Sequence, residues 1–334
     1  MKAFVTGGTG RLGQELVRFL LSKGHEVKML NPHQKVLPPK AASINGDLTD
    51  PKALIEGVKD VDAIFHLAAL SPLDGYTAKK EDMYRVHVRG TRMLTDAILS
   101  DGKQNVRLIH ISSTSVYGKN PHTMPITHDT PPNPDTDYAR SKRDGEKVLE
   151  ERQEELDYVI LRPSVIYGPT YLDVYSKFIR YIEQGKMPIF GDGKNVIPFV
   201  HSYDVVRAMA LAYNTKAARG KEYVVVENKA KTQEDIYRIT AAAVGIAEPK
   251  FSHMEPGLAK TFISLASIFK RQGVGPAHVE FLSSNRIFDT SKTETELGWN
   301  AKVTIEQGIG QMVQMYKAGS DQTNSDQRNM EEGE

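Results

Sequence analysis

Hydrophobic positions follow two rhythms in the first 165 residues. Short apolar runs at residues 3–6, 27–30, 63–67, 106–111 and 158–161 read as strands. Residues 12–21, 84–99 and 138–152 carry apolar positions at helical spacing between them. Strands spaced by crossover helices predict βαβ units and a doubly wound parallel sheet covered on both faces. After Pro169 the rhythm changes. Helical patterns at 172–184, 204–213 and 234–244, with strand-like runs at 197–201 and 223–226, predict a smaller C-terminal α/β cap sharing that sheet. We divide the chain into a sheet domain, 1–168 with parts of 197–226, and a substrate-binding cap, 169–196 with 227–318. Beyond residue 318 the chain is polar and aperiodic. Asp321, Asp326, Glu331, Glu332 and Glu334 stand there against Arg328, which predicts a disordered tail over 319–334.

Composition narrows the chemistry. The 334 residues carry 43 Lys plus Arg and 42 Asp plus Glu, a net charge of +1, which argues against a general nucleic-acid binder. Cysteine is absent, so disulfides, thiolate metal sites, iron–sulfur clusters and cysteine nucleophiles are excluded. The ten histidines show no metal-ligand spacing, and no metal is predicted. No apolar run reaches the roughly 18 residues that span a membrane, and no leader-like stretch opens the chain. A cytoplasmic protein acting on a small molecule is the expectation.

Three local patterns carry chemistry. Thr6-Gly7-Gly8-Thr9-Gly10-Arg11-Leu12-Gly13 lies between the first strand and the first helix. Glycines let the backbone approach a pyrophosphate, and the helix N-terminus offers it N–H donors and a positive dipole end. Tyr138 and Lys142 are spaced i, i+4, so a helix puts them on one face. A phenol of pKa about 10 needs a nearby cation to serve as an acid–base group at neutral pH. The hydroxyl-rich run 112–115 ends a strand, on the side where parallel sheets bind ligands.

In this order, the motifs resemble the extended short-chain dehydrogenase/reductase family, including its NAD-dependent epimerase/dehydratase, hydroxysteroid dehydrogenase and dihydroflavonol reductase branches. The carriers are the glycine loop, Gly46-Asp47-Leu48, His66-Leu67-Ala68-Ala69, residues 112–118, Tyr138 with Lys142, Leu161-Arg162-Pro163, Tyr167-Gly168-Pro169, and Phe199-Val200-His201 with Asp204. The resemblance implies a Rossmann fold and hydride transfer at nicotinamide C4. It implies Tyr138 as acid–base, Lys142 lowering its pKa and binding the ribose, and Ser113 orienting the substrate oxygen. Gly7, Gly10, Arg11, Leu12, Gly13, Asn31, Asp47, Leu48, Leu67, Ala68, Ala69 and Pro163 would join Tyr138 and Lys142 around the cofactor. A homodimer through the helices at 84–99 and 138–152 is also implied.

Three departures from the family pattern matter. His87 replaces an Asn that supports the catalytic helix, either as a hydrogen-bond partner or as a new titrating group. Asn31 replaces the carboxylate that would hold the ribose 2′-OH of NAD and repel a 2′-phosphate. With Arg11, His33 and Lys35 close in sequence, NADP is favoured over NAD. Val165 and Ile197 stand where nucleotide-sugar enzymes place polar contacts to a diphosphate. With Thr114 they are the candidate substrate residues. The expected activity is interconversion of a secondary alcohol and a ketone. A nucleotide-sugar 4-epimerase or dehydratase is the alternative, and a non-catalytic dinucleotide sensor is a third reading. The apolar stretch 258–269 is a core-facing helix, a lid or a membrane contact, and Trp299 anchors the C-terminal segment.

Overall fold

The computed structural model describes residues 1–331 apart from 33–37, 39, 72–77, 103–105, 120, 122 and 259–281. Seven parallel strands form the main sheet: β1 (Lys2–Thr6), β2 (Glu26–Leu30), β3 (Ala41–Ile44), β4 (Ala63–His66), β5 (Arg107–Ile111), β6 (Asp157–Pro163) and β10 (Lys221–Val225). Their order is β10-β6-β5-β4-β1-β2-β3. The chain therefore runs outward from β1 to β3 and restarts on the other side at β4. That reversal opens a crevice at the C-terminal ends of β1 and β4, where open parallel sheets bind ligands.

Alternation along each strand divides the core into two layers. Ala3, Val5, Phe65, Ile109 and Val159 pack against helix α1 (Arg11–Ser22) and α7 (Ser202–Asn214). Phe4, Ile64, Leu108 and Ile160 face the opposite way, against α2 (Pro51–Val58) and α4 (Thr91–Ser100). The helix predicted over 84–99 is interrupted. It begins as α3 (Lys80–Tyr84), widens to a π-helical turn over Arg85–Gly90, and resumes as α4. Helix α5 (Asp137–Glu150) lies alongside the turn, and an added Cβ at Gly145 would sit 2.6 Å from the His87 carbonyl.

The cap has its own apolar centre. Helices α6 (Leu172–Glu183) and α8 (Gln233–Val244) and the last helix, Ile305–Glu331, enclose Ile179, Tyr237 and Ile309. Two small parallel pairs complete it: β7 (Val165–Tyr167) with β9 (Phe199–His201), and β8 (Ile189–Phe190) with β11 (His253–Met254). The last helix runs on to Glu331, through residues whose composition predicts a disordered tail. Buried Ile305, Ile309, Met312 and Val313 nucleate it, and elongation costs far less than nucleation. The apolar stretch at 258–269 lies, from residue 259 on, outside the described residues. Among the described residues no helix is long and apolar enough to cross a membrane.

Asp204 joins the two halves. Its fully buried carboxylate accepts the backbone N–H groups of Lys302 (3.0 Å) and Val303 (2.9 Å) and pairs with Arg207 (2.9 Å). Its carbonyl receives the indole N–H of buried Trp299 at 2.9 Å. Asp204→Ala strands those donors, and the expected loss is about 3 kcal/mol of unfolding free energy, read by urea denaturation.

Candidate active site

The glycine loop closes the crevice on one side. Gly7 has a φ of +74°, and a Cβ there would lie 2.5 Å from the Ala68 nitrogen. A Cβ on Gly13 would overlap the Gly7 carbonyl. Both positions require glycine for steric reasons. No side chain caps α1 and no acid lies in its first turn, so its positive end can accept an anion.

Opposite the loop, α5 is started by Thr136, whose hydroxyl accepts the Ala139 N–H at 3.1 Å. Lys142 on this helix is buried, and its ammonium donates to the Ile111 carbonyl at the end of β5, 2.6 Å away. Burial pushes its pKa down to about 8, partly offset by the Glu146 carboxylate. Glu146 is itself buried and holds Arg162 through two bonds of 2.9 and 2.8 Å. Just past β5, the Ser113 hydroxyl accepts the Ser115 N–H at 3.1 Å and caps a 3₁₀ turn over Thr114–Tyr117. The neighbouring Ser112 hydroxyl is buried, with no partner among the described residues. The sequence pattern does not distinguish these two serines.

Three buried histidines lie behind the lysine. His66 bonds Thr6 at 2.6 Å and Thr91 at 2.9 Å through its two ring nitrogens. His87 Nε2 accepts the Leu70 N–H at 3.0 Å, and Nδ1 lies 2.8 Å from Ser141 Oγ. His110 has neither nitrogen partnered among the described residues. Burial first, then the Lys142 charge, lowers the pKa of His66 to about 3 and of His87 to about 2, and lowers that of His110 as well. His87 is therefore a neutral hydrogen-bonding group and not one that titrates near neutral pH.

The loop, the hydroxyls, Tyr138 and Lys142 line one cleft of about 480 Å³. Gly10, Arg11, Leu12, Leu67, Ala69 and Pro163 also face it, as do Thr114 and Val165. The other sequence-derived candidates lie apart from its lining. Asn31 is buried at the end of β2, its amide donating to Ser43 at 3.3 Å. Asp47 is exposed and accepts the Thr49 N–H and hydroxyl, both at 2.6 Å. Leu48 is buried and lies where a Cβ on Gly90 would touch it; Ala68 packs behind Gly7. Ile197 is not a cleft residue: it is buried in the apolar centre of the cap, because its strand-like segment turns that side chain inward. Arg11 does not offer a free charge for a 2′-phosphate, since its guanidinium forks onto Asp173 of α6 at 2.9 and 2.5 Å. His33 and Lys35 lie outside the described residues.

Among the lining residues that sequence reasoning missed, Arg286 carries a charge. Arg286 is buried in the cleft wall, its backbone N–H bonded to the Val196 carbonyl at 3.1 Å. Burial lowers its pKa to about 10, against the opposing effect of Asp135. Nothing local marks it; only the return of residues 284–288 to the cap and sheet brings it in.

A profile described as the NAD dependent epimerase/dehydratase family matches residues 3–226. The chain belongs to that family. Within the epimerase/dehydratase relatives, it is 34% identical to "Sterol demethylase protein B" of Methylococcus capsulatus, over 67% of this chain and 69% of that one. It is 30% identical to the "2-alkyl-3-oxoalkanoate reductase" of Stenotrophomonas maltophilia, over 73% and 76%. The fold is similar to that of a UDP-glucose 4-epimerase from Thermotoga maritima, with a TM-score of 0.77 at 22% identity, covering 96% of this chain and 99% of the other.

The buried neutral histidines make the fold acid-sensitive. Their folded pKa values lie below about 6.5, the value of an unfolded histidine, so the unfolded chain binds more protons as pH falls. The stability they contribute is full above that value and is lost below it, by about 1.4 kcal/mol per pH unit for each histidine. His110→Leu removes one such group without breaking a bond in the described structure. Urea midpoints at pH 7.5 and 5.5 should converge in the variant relative to the parent; an unchanged gap excludes His110 as a contributor.

Proposed function

We propose that this epimerase/dehydratase relative is an NAD(P)-dependent oxidoreductase interconverting a secondary alcohol and its ketone. The observation that carries the reading is the single cleft, continuous from the glycine loop to Tyr138, Lys142 and the hydroxyls after β5. The cleft fits a dinucleotide: Gly7 and Gly13 leave room where a Cβ would strike backbone, and an uncapped helix end faces the phosphate position. When bound, the nicotinamide accepts or donates the hydride. Tyr138 holds or releases the proton of the substrate hydroxyl at its phenol oxygen. Lys142, a buried cation one turn along, favours the phenolate. Ser113 orients the substrate oxygen, and the apolar side chains of Val165, Ile166 and Val174 exclude water around it. From the cap, Tyr171, Val174, Tyr175 and Arg286 wall the substrate side of the cleft.

Asn31 presents no carboxylate at the end of β2, which supports acceptance of NADP as well as NAD. A homodimer through α4 and α5 follows from the family resemblance alone; sedimentation at twice 37.2 kDa is the expected result.

Arg286 favours a second reading. Val165 argues for an apolar cleft, yet the Arg286 guanidinium brings a positive charge to the same wall. Nucleotide-sugar epimerisation or dehydration, or a carboxylated alcohol, fits that charge. Parallel assays with neutral ketones, 3-oxo acids and UDP-sugars separate the options. Arg286→Met should raise KM for anionic substrates by about tenfold or more and leave neutral ones unchanged.

Fluorescence titration should show micromolar binding of NADPH or NADH, and absence of both defeats the dinucleotide assignment. Tyr138→Phe should keep that binding and lower kcat by a hundredfold or more, on the order of a lost general acid–base group. Near-parental turnover would remove Tyr138 from the mechanism.

A further inference from the structure

His87 sits between the cofactor-facing loop and the catalytic helix and bonds to both. The loop 67–71 follows β4 and presents Leu67, Ala69 and Ser71 to the cleft. The helix is α5, with Tyr138 in its first turn. Each ring nitrogen of His87 bonds to one of them.

The hydrogen positions follow from the partners. Ser141 Oγ donates to the Tyr138 carbonyl at 2.9 Å, so its single proton is used. At 2.8 Å from His87 Nδ1 it must then accept, and Nδ1 carries the hydrogen. At the other side the Leu70 N–H donates to Nε2 at 3.0 Å, so Nε2 carries a lone pair. The result is one directed chain: Leu70 N–H to His87, His87 to Ser141, Ser141 to the backbone of Tyr138. The imidazole also meets the Tyr138 ring edge-on, with centroids 5.7 Å apart and planes at 82°. Thus one side chain sets both the backbone and the ring of the tyrosine.

The π-helical turn is what delivers the ring. It places His87 in the wide part of the helix, where the Thr91 hydroxyl donates to the His87 carbonyl at 2.6 Å. The close approach at Gly145 brings α5 against this turn. Burial first, and then Lys142 and His66, the charged and titratable groups that act on the ring, lower its pKa and hold it neutral.

We propose that His87, in its neutral Nδ1–H form, is a positioning residue that clamps the cofactor-facing loop to the catalytic tyrosine, with a separable bond to each. The clamp to Tyr138 as the acid–base group rests on the function proposed above; the clamp to the loop does not. The two bonds can be cut one at a time. An Asn amide reaches the Nδ1 position and can serve Ser141 while leaving Leu70 unpaired. A Gln amide reaches the Nε2 position and can accept from Leu70 while leaving Ser141 without its donor.

The test measures NADPH and NADH dissociation constants by fluorescence, and kcat at saturating cofactor, for His87→Asn, His87→Gln and His87→Ala. His87→Asn should weaken dinucleotide binding about tenfold and hold kcat within about twofold. His87→Gln should do the reverse, with kcat down about tenfold or more, the scale of a small misplacement of a reacting group. The alanine variant should show both losses. Equal losses in both parameters for the Asn and Gln variants, or lower thermal stability alone, would overturn the clamp. In ¹⁵N-imidazole spectra of the parent protein, His87 should show the Nδ1–H pattern unchanged from pH 8 to 5.5; titration in that window would overturn it as well. If no alcohol or ketone is turned over, the dinucleotide and imidazole measurements still decide the loop clamp. The reaction assignment then fails separately.

Discussion

A lysine ammonium buried at the end of the central sheet sets the terms for everything around it. Removing such a charge from water is costly unless partners replace its hydration. Lys142 has the Ile111 carbonyl at 2.6 Å and the field of Glu146. Glu146 has Arg162, and Arg162 has the Tyr117 hydroxyl at 2.8 Å. The histidines at the same depth stay neutral because burial penalises an imidazolium there, and the ammonium beside them adds repulsion. A charge kept in this way acts on whatever occupies the cleft with little screening by solvent. Tyr138 lines the same cleft from the same helix.

The fold supplies the rigidity that such an arrangement needs. Lys142 is fixed from three directions: by its own helix, by the carbonyl end of β5, and by the ion pair beneath it. The helix is fixed in turn by the glycine contact with the π-helical turn and by the histidine that bridges the two. Asp204 performs the corresponding task at the far side. There one carboxylate gathers the start of the C-terminal segment onto α7, so the cap rests on the sheet domain through specific bonds as well as through apolar packing.

The family resemblance concentrates on the half of the molecule where backbone geometry is demanding. Gly7 and Gly13 admit no substitute without a collision, and the Tyr138–Lys142 spacing admits no other placement on a helix. The substrate side carries no comparable constraint. Its wall is assembled from single residues of distant segments, Val165 from one and Arg286 from another.

The alternation of strand and helix, the glycine loop and the i, i+4 pair were legible in the sequence because each is a local pattern with a local physical cause. Strands β3, β7, β8 and β11 were not, although the strand-like run at 197–201 does contain β9. They are short, and their pairing partners rather than their own periodicity hold them in place. The last helix went the same way, since packing of its first turns overrode the composition of its end. For the site, sequence alone picked out the glycine loop, Tyr138 and Lys142, which the fold brings to one cleft. Only the tertiary structure decided that Ile197 turns into the cap, that Arg11 is occupied by Asp173, that Arg286 enters the cleft, and that His87 is a neutral bridge. Each of those outcomes depends on what stands opposite a side chain, and the residues opposite come from elements far away along the chain.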